Sequence, residues 1–495
     1  MRTRSRMRNA LPNTVALCRD KAQRARCGVL VCFAVMSCCG PWGWTQVAFG
    51  EEAAASSEAA VGWKGFQNGG ALFPSDIPAD WKVESSPVAW QAEIEGYGQS
   101  SPVVVSDQVY VTSTSGPNKE RLHVAAFTLA TGAKLWQRDF VNPSPEESST
   151  YISRAAPSPV ADASGIFAAF EGGLIVALTP AGETRFEKNL VAEYGPITAR
   201  HGLAASLEQD AEKVYAWIER ETEPYLLAID KADGKVVWKA AGVGATGWSS
   251  PRLLSVDGKP QLVCSASGHI AGYDPENGDR LWDLTEISNN TTCTPIPVAD
   301  GRFVIGASDG RGEPGAGNAA ASNGLIEIKR QADGKYEASF VWRADKATCS
   351  FGSPLVTDKH VWIVNRSGVL YQLDLATGQQ LSANRVSSGS VWATPIASRS
   401  RLYLFGQKGT ASIVDLATAR EEGSFPAWKD GPAWKDGPAS KDGPVAGGQN
   451  PQGQGAPAPA AGPFGSGAVL YAAAYAKSHL LIRRGDTLFA YRVPG

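Results

Sequence analysis

Aromatic, amide and cationic side chains recur just before a series of short Ser-Pro or Thr-Pro dipeptides. Such a mixture is suited to binding a ligand or a protein partner through a concave surface. The positions that we expect to share one binding surface are Tyr97, Gln99, Tyr151, Arg154, His201, Trp248, Asn290, Thr292, Phe351 and Trp392. The alternative is that the dipeptides merely begin strands and the aromatic rings fill space between them.

The sequence offers no pattern that assigns a catalytic, cofactor-binding or metal-binding residue. We find no G-x-S-x-G elbow, no P-loop and no Ser/His/Asp set that spacing supports. The five histidines show no i, i+2 or i, i+4 pairing, so their spacing indicates no metal site. They are His123, His201, His269, His360 and His479.

The cysteines beyond the N-terminal region are odd in number: Cys264, Cys293 and Cys349. Cys293 and Cys349 both precede the first strand of neighbouring repeats, described below. A disulfide between them is possible if their Cα atoms lie within about 7 Å. Two buried free thiols are the equally strong alternative.

The elements that would position these residues come from a repeated unit. Gln99–Trp136 reads as four short strands separated by polar and glycine-containing turns, and it ends in a tryptophan. Trp248–Trp282 repeats the Ser-Ser-Pro start, the turn with glycine and the final tryptophan. The turn glycine supplies the positive φ that a tight hairpin needs.

Weaker copies extend this pattern along the chain. They begin at Ser158, Thr294, Ser353 and Thr394, each followed by proline, and one copy without the proline begins near His201. A large apolar residue closes each unit, at Trp90, Trp136, Phe186, Trp238, Trp282, Trp342, Leu381 and Phe425. Eight units of four strands predict an all-β fold, an eight-bladed β-propeller with four-stranded antiparallel blades.

The two chain ends are predicted to complete one blade together. Trp90 closes a unit whose first three strands are missing, whereas the C-terminus holds three strands without a closing one. We place those strands at Ala468–Ala474, Ser478–Arg483 and Thr487–Arg492, with Val88–Ile94 as the outer strand. Pairing both ends in one sheet removes an exposed edge. A β-sandwich or two smaller propellers are the alternatives.

The repeat resembles the pyrroloquinoline-quinone-like (PQQ-like) propeller family. The best matching segments are Leu122–Trp136, Tyr225–Trp238 and Val369–Leu381. That family includes the quinoprotein alcohol dehydrogenases and the outer-membrane assembly lipoprotein BamB. The resemblance covers roughly Trp63 to Tyr491 and implies the fold more strongly than a function, since one fold hosts many functions.

The dehydrogenases of this family hold their quinone between a tryptophan and a disulfide of adjacent cysteines, and they bind calcium through a Glu and an Asn. The only adjacent cysteines here are Cys38 and Cys39, in the N-terminal region. Calcium also requires several converging oxygens, and no acidic cluster occurs at the positions before the Ser/Thr-Pro dipeptides. We therefore expect no cofactor and a non-catalytic member of the family.

The N-terminal region predicts export. Residues 1–50 combine a basic start with the apolar segment Cys27–Cys39 and small residues at Ala48 and Gly50, as in a signal peptide. A lipid anchor at Cys38 is a minority interpretation, and a retained membrane anchor is a third. Residues 51–62 then form a flexible leader.

One domain, 63–495, follows as a single propeller. Residues 426–464 repeat Trp-Lys-Asp-Gly-Pro and continue as a Gly, Gln, Pro and Ala tract, which predicts a disordered insertion between blades seven and eight. Eight of the 47 basic and one of the 49 acidic residues lie in 1–50, which leaves a net charge of about −9 beyond it. An acidic surface argues against nucleic-acid binding.

The sequence as a whole predicts an exported, monomeric and non-catalytic propeller in the periplasm or outside the cell. Its expected role is protein interaction and scaffolding at the cell envelope, or binding of a small ligand at the mouth of the propeller. The alternatives are a divergent quinone-dependent dehydrogenase and a kinase-associated sensor propeller.

Overall fold

The computed structural model describes residues 88–147, 154–199, 202–244, 247–308, 319–427 and 472–493. These residues form eight four-stranded antiparallel sheets, which confirms the predicted eight-bladed β-propeller. The predicted signal peptide, leader and Trp-Lys-Asp-Gly-Pro repeats lie outside the described residues. No helix within the described ranges is long and apolar enough to cross a membrane.

The closing strand β1 spans Val88–Glu93. Blades one to four are formed by β2 (Val103–Val105), β3 (Gln108–Ser115), β4 (Arg121–Thr128), β5 (Lys134–Val141), β6 (Val160–Asp162), β7 (Gly165–Ala169), β8 (Leu174–Leu178), β9 (Thr184–Asn189), β10 (Glu208–Gln209), β11 (Lys213–Ile218), β12 (Tyr225–Asp230), β13 (Val236–Ala241), β14 (Arg252–Val256), β15 (Lys259–Ala266), β16 (His269–Tyr273) and β17 (Arg280–Leu284). A short helix α1, Leu190–Tyr194, follows the second blade.

Blades five to eight are formed by β18 (Ile296–Ala299), β19 (Arg302–Ile305), β20 (Gly324–Arg330), β21 (Tyr336–Arg343), β22 (Leu355–Val356), β23 (His360–Val364), β24 (Val369–Asp374), β25 (Gln380–Arg385), β26 (Ile396–Ala397), β27 (Arg401–Phe405), β28 (Thr410–Asp415), β29 (Glu421–Pro426), β30 (Ala472–Ala476), β31 (His479–Arg484) and β32 (Thr487–Arg492). A 3₁₀ helix, Ala319–Ser322, precedes β20.

The first strand of each blade lies toward the centre of the ring. Contacts join the first strands of successive blades, β2 with β6, β10 with β14, β14 with β18 and β18 with β22. Since the strands of each blade are antiparallel, the turn between its second and third strands and the connection to the next blade lie on one side of the ring. We call this side the mouth face.

A chain of hydrogen bonds explains why Ser or Thr heads each repeat. In five repeats this hydroxyl accepts the backbone N–H of its counterpart in the preceding blade, at 2.8–3.1 Å. The series runs through Ser101, Ser158, Ser206, Ser250, Thr294 and Ser353. The hydroxyls therefore satisfy buried backbone donors at the hub, and the repeat without proline takes part through Ser206.

Four of the five tryptophans that end repeats hold neighbouring blades together, whereas Trp282 donates its Nε1 to Gln261 Oε1 within its own blade at 2.8 Å. The Trp136 ring lies over Gly182 of the next blade, where a Cβ atom would come within 2.6 Å of it. Trp136 Nε1 donates to Pro180 O at 3.0 Å. Trp90, Trp238 and Trp342 bind the next turn in the same way. Glycine is needed because the ring occupies the space of a side chain, and because φ is +83° at Gly182.

Leu381 departs from this pattern. It was predicted to close the sixth blade, but its side chain is 48% exposed. The ladder places Ser382 opposite Gln372, where Trp136 lies opposite Ala126 in the first blade. Leu381 therefore takes the exposed position that Leu135 takes there. The next turn carries Ala419 at φ +56° instead of glycine. Asn384 Nδ2 donates to Ala419 O at 2.8 Å instead.

The ring closes as predicted. Strand β1 pairs antiparallel with β32, and Trp90 lies opposite Ala490. The fully buried Arg483 of β31 reinforces the junction by donating to Thr112 O at 2.6 Å and to Ser100. The guanidinium group of the last blade thus binds the backbone of the first.

Candidate functional site

Three of the predicted surface residues meet where the first two blades adjoin. The backbone of Gln99 donates to Arg154 O at 3.1 Å, and its side-chain oxygen accepts Arg154 N at 3.1 Å. The Arg154 guanidinium lies 3.7 Å from the centre of the Tyr97 ring, a cation–π contact. Tyr97 and Arg154 are both buried, so this group forms the lining of the mouth more than an exposed patch.

A second group forms between blades six and seven. The rings of Phe351 and Trp392 lie 4.6 Å apart at an angle of 52°, and the guanidinium of Arg366 lies 5.0 Å from the Phe351 ring. Both aromatic side chains are half-buried. An aromatic pair beside an arginine is the composition typical of binding hot spots.

The side chain of Asn290 has a structural role. Its amide nitrogen donates to Ser265 Oγ at 2.8 Å and to Ala266 O at 2.6 Å, and its oxygen accepts Gly268 N at 2.9 Å. The residue is fully buried. These bonds fix the β15–β16 turn, so the side chain is not available to a ligand in this conformation.

The remaining predicted residues are spread along the mouth face. Trp248 is half-buried, and its backbone donates to Thr291 O at 2.8 Å. Thr292 is half-buried, and its hydroxyl lies 3.7 Å from the sulfur of Cys293. Tyr151 and His201 lie outside the described residues. The structure thus assembles two groups rather than one continuous surface.

Cys293 and Cys349 are brought together as predicted from the repeat. A Cβ atom on Gly306 would lie within 2.9 Å of both sulfur atoms. Both residues are buried free thiols, and burial raises the pKa of Cys349, with a hydrogen bond to Cys293 acting in the same direction. The disulfide stays a prediction.

A pocket on the mouth face was not predicted from the sequence. It has a volume of about 280 Å³, and its lining includes Lys119, Glu146, Glu171 and Thr198. Lys119 Nζ lies 3.7 Å from Glu171 and 3.8 Å from Glu146. Burial raises the pKa of Glu171, although Lys119 and the Ala155 N–H oppose the shift. The charges come from turns of two blades, so no sequence motif joins them.

Glu219 is a second buried carboxyl group on the mouth face, just after β11. The residue is 1% exposed, and neither carboxyl oxygen reaches a partner with hydrogen-bond geometry in the described part of the chain. Burial raises its pKa to about 7, and the nearby Gly247 amide offsets this only in part. No sequence pattern distinguishes Glu219 from the solvated glutamates that follow it.

These groups suit binding better than quinone-dependent catalysis. Calcium requires several converging oxygens, but Glu171 and Glu219 lie in different blades and Asn290 is committed to a turn. Cys38 and Cys39, the only adjacent cysteines, lie outside the described residues. The described residues of the mouth therefore do not fit a calcium-bound quinone, and we derive no catalytic step through one.

The fold and the repeat define the class of protein: an eight-bladed propeller in which tryptophan–glycine contacts join four pairs of blades and hub hydroxyls join five. The chain belongs to the PQQ-like propeller family whose sequence profile is described as outer membrane protein assembly factor BamB. This profile matches residues 79–195 and 123–384, which together span more than half of the chain.

Individual relatives agree with this assignment. The chain is 24% identical over 300 residues to outer membrane protein assembly factor BamB of Shewanella oneidensis. That alignment covers 60% of this chain and 66% of the relative, slightly under two thirds of its length.

Among solved structures, BamB from Moraxella catarrhalis superposes with a TM-score of 0.51 at 13% identity, over 81% of this chain and 96% of that one. A europium-containing methanol dehydrogenase superposes with a TM-score of 0.50 at 12% identity, over 74% and 85%. At these identities both likenesses concern the fold alone.

Proposed function

We propose that the protein is an exported, non-catalytic propeller that binds protein partners at the cell envelope through its mouth face. Its partner, on this proposal, belongs to the machinery that assembles outer-membrane proteins, as the name shared by its relatives suggests. The observation that carries the proposal is the pairing of a BamB-type profile with a mouth that offers aromatic and arginine anchors in place of a calcium site.

The contact chemistry follows from the two groups and the pocket. Phe351 and Trp392 offer a half-buried apolar anchor with Arg366 beside it. The pocket beside Lys119 and Glu171 offers charges of both signs, which suits the donors and acceptors of a peptide backbone. An extended loop of a partner fits both features.

Site-specific crosslinking tests the proposal. A photoreactive phenylalanine analogue is placed at Trp392 on the mouth face and, as a matched control, at Lys235 on the opposite side, whose side chain is 82% exposed. In envelope fractions we expect Trp392 to capture one outer-membrane assembly component and Lys235 to capture none. Equal labelling from both positions, or capture of none by Trp392, would overturn the proposal.

A quinone-dependent dehydrogenase is the competing outcome. Adding the quinone with calcium to the purified chain and following dye-linked alcohol oxidation tests it directly. We expect no turnover and no change in melting temperature. Turnover that disappears when calcium is chelated would replace the scaffolding proposal with an enzymatic one.

A further inference from the structure

Three potential metal ligands converge on the first blade, in a cluster next to the Tyr97 group: Tyr97 pairs with Thr114, which precedes Ser115 of the cluster. Glu95 follows β1, His123 lies in β4 and Asp139 lies in β5. One donor atom from each lies within 4.8 Å of the other two. Within the described ranges, this is the only group of three His, Cys, Asp or Glu side chains with that spacing.

The backbone brings the three residues together from distant parts of the sequence. His123 lies directly opposite Asp139 in the β4–β5 ladder. Glu95 arrives from the strand that completes the last blade, and Ser113 Oγ donates to Glu95 O at 2.6 Å. The cluster therefore spans the junction that closes the ring.

One amide group holds the two carboxylates close to each other. Gln137 Nε2 donates to Glu95 Oε2 at 2.6 Å and to Asp139 Oδ1 at 2.8 Å. Two carboxylates at this separation repel each other, and both side chains are exposed. A cation between them would remove the repulsion.

The histidine ring is already oriented toward the carboxylates. His123 is 1% exposed, its Nδ1 lies 2.7 Å from Asp139 Oδ1, and its Nε2 lies 2.7 Å from Ser115 Oγ. A serine hydroxyl can both donate and accept. The ring can therefore carry its proton on Nε2, donate it to Ser115 and present the Nδ1 lone pair to a metal. Outer hydrogen bonds of this kind orient metal-binding histidines.

Ser115, His123 and Asp139 are hydrogen-bonded in the order of a Ser-His-Asp catalytic triad. The exposures of the serine and the acid are the reverse of those in a triad. In such a triad the acid is buried and the serine is open to substrate. Here the Asp139 side chain is 45% exposed, whereas Ser115 is partly buried. The solvent-exposed member of the series is therefore Asp139, which a cation can reach.

We propose that Glu95, His123 and Asp139 bind one divalent transition-metal ion of the Zn²⁺ type. One imidazole nitrogen and two carboxylate oxygens make three ligands, and water completes a tetrahedron. Imidazole favours transition metals over Ca²⁺ and Mg²⁺. Bonds of about 2.0–2.2 Å place the donor atoms about 3.5 Å apart, so rotation of the two exposed carboxylates closes the site. The ion would clamp the first blade to the last.

The fourth blade supplies an internal control. His269 lies nine residues before its turn glycine, as His123 does, and its Nε2 lies 2.6 Å from Asp283 Oδ1. Arg280 Nη1 lies 3.3 Å from the same oxygen. A guanidinium already occupies this position, and among the residues that the structure describes no third acid completes the set there. This pair is not expected to bind a metal.

Zinc titration of the tag-free full chain, with its accessible thiols alkylated, tests the proposal by calorimetry. We expect the wild type to bind one Zn²⁺ that His123→Gln loses. Glu95→Gln and Asp139→Asn, both exposed and isosteric, should each weaken binding by at least about tenfold, and Ser115→Ala by about tenfold. Asp283→Asn should leave the affinity unchanged.

Melting temperature gives a second readout, since an ion that binds only the folded chain stabilises it. Zinc should raise the melting temperature of the wild type and of Asp283→Asn, but not of Glu95→Gln combined with Asp139→Asn. Circular dichroism checks that the carboxylate variants are folded. The proposal is wrong if the wild type binds no zinc, or if the carboxylate variants bind it as tightly as the wild type.

Discussion

The backbone N–H of Ser101 donates to the hydroxyl of Ser158, one blade further around the ring, at 2.8 Å. Both residues are buried, so no water replaces the acceptor when the hydroxyl is removed. We expect Ser158→Ala to lower the free energy of unfolding by about 1–3 kcal/mol, the usual cost of an unpaired buried donor. Urea unfolding followed by tryptophan fluorescence measures the change.

Threonine provides the matched control, because Thr294 fills the same role in another blade. Ser158→Thr keeps the acceptor and should retain most of the stability. If Ser158→Ala and Ser158→Thr both leave the free energy of unfolding nearly unchanged, the chain of hydroxyl hydrogen bonds does not stabilise the hub.

The sequence predicted the ring well because each blade repeats the same local signals. A turn glycine, a closing tryptophan and a Ser or Thr head recur at similar spacing. A repeat with a weak signal can therefore be recognised by comparison with the clearer repeats. Leu381 shows the limit: the ladder places Ser382, not Leu381, opposite Gln372, where Trp136 lies opposite Ala126 in the first blade. The prediction was wrong by one residue because the sixth repeat has no large apolar side chain at the closing position.

The contact between Trp136 and Gly182 gives a second prediction. A Cβ atom at Gly182 would lie 2.6 Å from the indole ring, so Gly182→Ala must displace the ring and strain the turn. Gly258 has a similar φ of +70° but nothing within 4 Å of its Cβ position, which makes Gly258→Ala the control for backbone strain. We expect Gly182→Ala to cost about 1–3 kcal/mol more. Equal urea midpoints for the two variants would contradict this.

Arg483 gives a third prediction. Full burial lowers its pKa to about 9, and its guanidinium donates to the carbonyls of Ser100 and Thr112 across the ring closure. Arg483→Met leaves both carbonyls without this donor, at about 1–3 kcal/mol for each. Limited proteolysis should then release the C-terminal strands first, whereas Arg492→Met, at an exposed position of the same blade, should behave as the wild type.

The candidate sites were harder to predict than the ring for a physical reason. The sequence placed Tyr97, Gln99 and Arg154 together because all three precede repeat heads. The pocket beside Lys119 follows no repeat, because its members come from turns of two blades. The His123–Asp139 pair recurs in the fourth blade as His269–Asp283, but Glu95 joins it from a strand of the last blade. Spacing along the chain therefore says nothing of their proximity, and only cross-strand pairing brings them together.

Glu219 gives the last prediction, a dependence of stability on pH. Its folded pKa of about 7 lies above the ordinary glutamate value of 4.5, so between these values the folded chain binds more protons than the unfolded chain. Stability contributed by the protonated group is therefore complete below about pH 4.5 and is lost as the pH rises toward 7. At 1.36 kcal/mol for each pKa unit, the loss amounts to about 3 kcal/mol.

Glu219→Gln stays neutral at every pH and should abolish this part of the dependence. We expect its urea midpoint to exceed that of the wild type at pH 8 and to approach it at pH 5, while the exposed control Glu223→Gln follows the wild type throughout. A midpoint difference that does not change between pH 5 and pH 8 would show that Glu219 has an ordinary pKa. The gain at high pH is expected because glutamine removes a buried charge that the surrounding residues do not compensate.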